Sequence, residues 1–148
     1  MPETKKKFSL VKPSVETPFQ IDFGWWKETD SNWRVFLFDF LCDTHQEYFL
    51  EKNDSIKIDA VDPDTAQIKQ VDGLLYTLMN HCAKQEYFIP DNLPLVSRIF
   101  RVFLANGNTA LTPNQLSEIV NKPARTLLVT IGGHRVYKGI RPLQKTSK

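Results

Sequence analysis

The sequence predicts an α+β chain: a helical N-terminal part carrying a small β-hairpin, closed by a compact C-terminal unit of three short helices and a basic hairpin. Three observations support this. Apolar residues recur at three- and four-residue spacings in several separate segments, which is the period of a half-buried helix. Ile56, Ile58 and Val61 alternate with polar neighbours before Asp62-Pro63-Asp64-Thr65, and Ile68 and Val71 resume beyond it, the pattern of two strands about a turn. Between Leu93 and Pro142, short helical patterns run into a strand bounded by glycine.

The first twenty residues hold Pro2, Pro13 and Pro18 with weak periodicity, so an extended arm is expected over 1–20. Residues 21–90 should form an acidic helical region with its hairpin near 56–71. In Phe19–Trp26, Phe19, Ile21 and Phe23 alternate with polar residues ahead of Gly24-Trp25-Trp26, which suggests a short strand or an apolar anchor. Asp30 or Ser31 can cap a helix over about 32–51, with Trp33, Phe36, Leu37, Phe40 and Leu41 on its apolar stripe. Asp72 can cap another to about Gln85, turning Leu74, Leu75, Leu78, Met79 and Cys82 inward.

Residues 91–142 follow as a separate unit and 143–148 as a polar tail. Leu95, Val96, Ile99, Phe100, Phe103 and Leu104 share one helix face that ends at Asn106-Gly107. Thr109–Leu111 can make a brief strand. Thr112-Pro113-Asn114-Gln115 has the form of a capping box, in which threonine and glutamine satisfy each other's backbone amides. A helix carrying Leu116, Ile119 and Val120 follows, then a third over about 123–131 with Leu127, Leu128 and Ile131 inward. Gly132-Gly133 is expected to stop it through left-handed φ, and Gly139 to provide the bend of a strand or hairpin over 134–140.

Charge divides along the chain. Residues 101–148 hold eight Lys and Arg against the single acid Glu118, a local charge of +7, whereas 1–100 carry −5. Opposite halves of this kind suggest a polyanion on the basic side. Lys5–Lys7 precede an apolar stretch, Phe8–Val11, too short for a signal-peptide core, and the run Val35–Cys42 is broken by Asp39 well short of the roughly 20 residues a spanning helix needs. A soluble, cytoplasmic protein without membrane contact is therefore expected, and two cysteines in a chain able to bury a core do not make a disulfide framework.

The order helix, short strand, capped helix, turn, helix, basic hairpin resembles the winged-helix, helix-turn-helix family over Leu93–Pro142. The resemblance implies that the helix over 123–131 is the recognition helix and 134–141 the wing. Family geometry places polar side chains of that helix in the DNA major groove and wing cations on phosphate or in the minor groove. Carried onto this sequence, the nucleic-acid-binding residues are Lys122, Arg125, Thr126 and Thr130 on the helix, with Arg135, Lys138 and Arg141 on or after the wing. The implied function is non-catalytic binding of DNA, or of RNA, in a regulatory role. The acidic part would hold a protein partner or a second copy; Trp25, Trp26 and Trp33 read first as core, with Trp25 and Trp26 the alternative partner anchors because two adjacent tryptophans do not easily both point inward. Winged helices also serve as protein-binding modules, so the competing expectation is an adaptor or assembly subunit that grips protein with the same unit.

Other chemistry finds little footing. Asp54, Asp59, Asp62, Asp64 and Asp72 lack the glycine and the closing glutamate of a calcium loop. Glycines are too scattered for a phosphate-cradling loop. His45, His81 and His134 have no spacing that implies a catalytic pair, so an enzyme is not expected. No cofactor is expected either, although Cys42, His45, His81 and Cys82 are the right ligand types for structural zinc. Adjacent His81 and Cys82 would point about 100° apart on a continuous helix, converging on one ion only if the helix ended there. Cys82 on the apolar stripe reads instead as a small core residue.

Overall fold

A computed structural model of the chain describes residues 12–29, 33–51, 57–61 and 65–143. It is a mixed helix and strand protein in two units, one formed by Met1–Thr29 with Ile89–Lys148 and the other by Asp30–Phe88. The N-terminal segment through Thr29 therefore groups with the C-terminal unit, where the sequence reading placed 21–90 in one region.

In the first unit, Phe19–Ile21 form β1 and Asp22 ends it. The Asp22 carboxylate accepts from the Gly24 and Trp25 amides at 3.0 and 3.3 Å, starting α1 (Phe23–Thr29). Two of the amides that a helix start leaves unpaired are thereby satisfied, so the short strand expected within Phe19–Trp26 ends at Ile21 and a helix follows it. α5 (Leu95–Ala105), α6 (Pro113–Val120) and α7 (Ala124–Ile131) bury Ile99, Phe100, Phe103, Leu104, Leu116, Val120, Leu127 and Ile131. The capping box is formed: the Gln115 amide donates to the Thr112 hydroxyl at 3.1 Å and the Thr112 amide to Gln115 Oε1 at 2.9 Å. The Arg98 guanidinium donates to the Val120 carbonyl at 2.7 Å, placing a cation at the negative end of α6.

β1 lies at the centre of a small antiparallel sheet. On one side it pairs with β4 (Ile140–Pro142), Phe19 opposite Pro142 and Ile21 opposite Ile140. On the other it bridges Leu111, with Phe19 and Leu111 exchanging both backbone bonds at 2.8 and 3.0 Å. The brief strand expected at Thr109–Leu111 reduces to that one bridge, because the Asn108 side chain takes the next pairing position. The Ile21 amide donates to Asn108 Oδ1 at 2.8 Å, and Asn108 Nδ2 donates to the Ile21 carbonyl at 2.9 Å. From Lys12 onward the arm is laid on this unit: the Asn114 amide, in the first turn of α6, donates to the Val15 carbonyl at 3.1 Å. Leu143, first residue of the expected polar tail, donates to the Pro18 carbonyl and extends the sheet. Residues 1–11 of the arm and 144–148 of the tail lie outside the described residues.

In the second unit the single helix expected over 32–51 is two, α2 (Trp33–Phe38) and α3 (Asp43–Glu51). Between them the Phe40 and Leu41 amides reach back three residues, to Leu37 and Phe38, tightening the last turn. A new helix then starts with Asp43 in its first turn, where a carboxylate is favoured by the helix dipole. The caps proposed at 30–31 lie outside the described residues. β2 (Lys57–Val61) and β3 (Ile68–Asp72) pair antiparallel, Lys57 opposite Asp72, as the alternation predicts. Asp72 caps α4 (Gly73–Asn80), accepting from the Leu74 and Leu75 amides at 3.0 and 3.2 Å, and is ion-paired with Arg34. α4 stops at Asn80 rather than near Gln85 and gives way to short 3₁₀ turns, Cys82–Lys84 and Glu86–Phe88. Trp33, Leu37, Leu41, Phe49, Leu74, Leu78 and Phe88 form its core. No helix among the described residues is long and apolar enough to cross a membrane.

Candidate metal centre and basic surface

Where α4 ends decides what His81 and Cys82 can do. His81 occupies the cap position with φ −131° and ψ −63°, off the helical path, and its amide closes on the Thr77 carbonyl at 2.9 Å. Cys82 then begins the 3₁₀ turn, so the two neighbours leave the backbone in directions a continuous helix forbids them. Forty residues earlier, Cys42 precedes α3, and the Gln46 amide donates to its carbonyl at 2.9 Å. His45 follows three residues later on the same face of the first turn.

Side chains from both places meet. Cys42 Sγ lies 3.2 Å from His45 Nδ1, 3.8 Å from His81 Nδ1 and 3.5 Å from Cys82 Sγ, while Cys82 Sγ lies 3.6 Å from His45 Nδ1. The two imidazoles meet edge to face, centroids 4.5 Å apart. All four potential ligand atoms fall within 4.8 Å of one another. Burial grades across the group, from buried Cys82 through half-buried Cys42 and His45 to exposed His81. Burial pushes the Cys82 thiol up to about 11, opposed in part by backbone hydrogen bonding. The His45 imidazole is held below its ordinary value, first by burial and then by the charge of His81. Cys82 is a core residue, as its place on the apolar stripe suggests, and its sulfur also lies among the other three side chains.

The residues expected to face nucleic acid separate into two kinds. Lys122, Arg125 and Thr126 are exposed at the turn and on α7, whose Leu127 and Ile131 face the core. Arg135 is exposed too, its guanidinium 5.8 Å from the centroid of the Tyr137 ring. Of the other three, Thr130 and Arg141 use their side chains within the unit and Lys138 its backbone carbonyl. Thr130 is half-buried and its hydroxyl donates to the Thr126 carbonyl at 2.8 Å. Arg141 pairs with Asp22 at 3.0 Å, which ties β4 to the start of α1. Lys138 is a turn residue at φ +55°, and its carbonyl accepts from the Trp26 indole at 2.8 Å.

Trp25 and Trp26, the alternative partner anchors, both pack within this unit. Trp26 is 8% exposed, lies edge to face with Trp25 at 5.2 Å and contacts the ring of Phe100 at 5.9 Å. Two adjacent tryptophans fit inside because Trp26 points into the core while half-buried Trp25 lines Gly139, so Trp26 follows the core reading of the pair. The basic hairpin is a tight turn, Tyr137–Ile140, with Lys138 and Gly139 both at positive φ and the Ile140 amide donating to the Tyr137 carbonyl at 3.0 Å. Its outgoing strand pairs with β1 from the N-terminal arm, a partner no local pattern announces. Gly132 stops α7 at φ −100°, not in the left-handed region. Its role is room: a Cβ there would sit 2.7 Å from the Leu128 carbonyl oxygen. The chain matches no protein-family model, no curated protein and no solved structure.

Proposed function

We propose that the unit formed by 1–29 and 89–148 is a winged-helix-type module that binds nucleic acid, DNA first, without catalysis. One observation carries the reading. By sequence this unit holds a net +8 and the unit 30–88 a net −6, and the exposed face of α7 presents Arg125 and Thr126 next to Lys122. Positions 125, 126 and 129 fall within about 100° of arc on a helix, opposite Leu127 and Ile131. α7 is thereby the recognition element and Arg135 a phosphate contact beside it. Arg141, paired with Asp22, ties the strand instead of meeting the ligand directly.

Fluorescence anisotropy of the full chain with a short DNA duplex, and with RNA of the same length, tests this. Log affinity should fall with log salt at a slope of about −0.9 per phosphate engaged on duplex DNA. Joint replacement of Lys122, Arg125 and Arg135 by Ala should weaken binding at least about tenfold and flatten the slope by about three contacts, with the melting temperature unchanged. No binding at low salt, or binding indifferent to salt, overturns the proposal.

A second reading, protein recognition by the same module, has an observation of its own. Val129 on α7 and Ile119 on α6 are 75% and 54% exposed, apolar groups where a phosphate surface offers nothing. Val129→Asp should destroy a protein contact and weaken DNA binding only through charge repulsion.

A further inference from the structure

We propose that Cys42, His45, His81 and Cys82 bind one zinc ion in a closed tetrahedral site that joins the start of α3 to the end of α4. The distances fit an ion at the centre. With Zn–S near 2.3 Å and Zn–N near 2.0–2.1 Å, a tetrahedron has edges of about 3.8 Å between sulfurs and about 3.5 Å from sulfur to nitrogen. The chain places its sulfurs 3.5 Å apart, with sulfur–nitrogen distances of 3.2, 3.6 and 3.8 Å. Hydrogen-bonded thiols and imidazoles need only pairwise contact, whereas here all four ligand atoms converge within 4.8 Å.

The ligand chemistry selects the metal. Two thiolates and two imidazoles in a tetrahedral set favour zinc and disfavour magnesium and calcium, which take oxygen ligands at higher coordination number. Four protein ligands leave no open position for water or substrate, so the ion is structural rather than catalytic. Its work is mechanical. Cys42 and His45 stand at one helix start, His81 and Cys82 at one helix end, and a bond to each pair fixes two segments about forty residues apart in sequence. Binding requires loss of both thiol protons, so zinc uptake by the metal-free protein releases protons to the solvent.

The test uses the full chain, purified in reductant without chelator. Elemental analysis should find one zinc per chain. After stripping, titration with Co(II) should give the intense visible bands of tetrahedral cobalt and thiolate-to-cobalt charge transfer, saturating at one equivalent and reversed by zinc. His81→Ala removes an exposed ligand with little packing to lose, and should weaken cobalt binding by more than about 100-fold while near-ultraviolet circular dichroism stays native. Cys42→Ser should act likewise, a second probe that leaves buried Cys82 in place. The proposal is overturned by absence of stoichiometric zinc together with no tetrahedral cobalt spectrum. It is equally overturned by full cobalt affinity in the folded His81→Ala variant.

Discussion

The Trp26 indole donates its N–H to the carbonyl of Lys138 at 2.8 Å, and the same ring covers the next residue, Gly139. A buried indole N–H must find an acceptor. This one finds it in a turn whose two central residues both need positive φ, and glycine provides the second at φ +76°. The side chain and the turn therefore specify each other across more than a hundred residues of sequence.

Gly139→Ala should be among the most damaging single changes in the C-terminal unit. A Cβ would stand 2.7 Å from Trp26 Nε1 and 2.8 Å from its Cδ1, on a backbone that L-residues adopt at a cost of about 1–2 kcal/mol. Adding the packing penalty gives a loss of about 3 kcal/mol by chemical denaturation. Trp26→Phe, which keeps one aromatic ring but loses the fused five-membered ring with its donor, should cost about 2–3 kcal/mol, from the Lys138 carbonyl left without its partner and the space left beside Gly139. If Gly139→Ala melts as the parent does, Trp26 does not hold the turn.

Asp72 does two things that separate substitutions can pull apart. Its carboxylate caps α4 and pairs with Arg34, both partners being about one-fifth to one-quarter exposed. Asp72→Asn keeps an oxygen for the Leu74 and Leu75 amides and gives up the charge, a loss of about 1 kcal/mol for a pair screened in part by solvent. Asp72→Ala gives up the cap as well, worth about 1 kcal/mol more. Equal stability of the two variants would show that the cap contributes nothing.

Features decided within a few residues were legible in the sequence. Thr112 and Gln115 stand one turn apart and announce their capping box, Asp72 announces its cap, and the alternation on either side of 62–65 announces the β2–β3 pair. What escaped depends on encounters at long range. Nothing near Phe19 says that its strand will fill the space between Leu111 and Ile140, because each bond in that sheet joins segments more than ninety residues or more than a hundred residues apart. The continuous apolar stripe from Trp33 to Leu41 masked the break after Phe38, since hydrophobic period says which face is buried and not where the backbone turns. Cys42, His45, His81 and Cys82 were visible as residue types, yet the obstacle to their convergence, helical divergence of His81 and Cys82, vanished only when α4 proved to stop at Asn80. Among the expected nucleic-acid contacts, charge alone could not separate exposed Arg125 from Arg141, because the partner of Arg141 is Asp22 at the other end of the chain.

Stripping the proposed zinc should loosen two short segments and little else. Held by an ion, Cys42–Gln46 and His81–Lys84 open only together with the unit; without it they rest on one turn of helix each and on thiol–imidazole contacts of 3.2–3.8 Å. Free zinc at about 100 times its dissociation constant contributes about 2.7 kcal/mol to the bound form, or about 100-fold in protection. Hydrogen exchange of the full chain, compared with and without chelator in reductant, should therefore show protection falling about 100-fold at the hydrogen-bonded amides of Gln46, Lys84 and Gln85. The amides of α5, α6 and α7 should keep their rates, since the four ligands all lie within the unit 30–88. Unchanged exchange at Gln46, Lys84 and Gln85 on removal of a stoichiometric metal would mean that the ion sits elsewhere, and equal loss across 95–131 would mean that its effect is not local to the two helix ends.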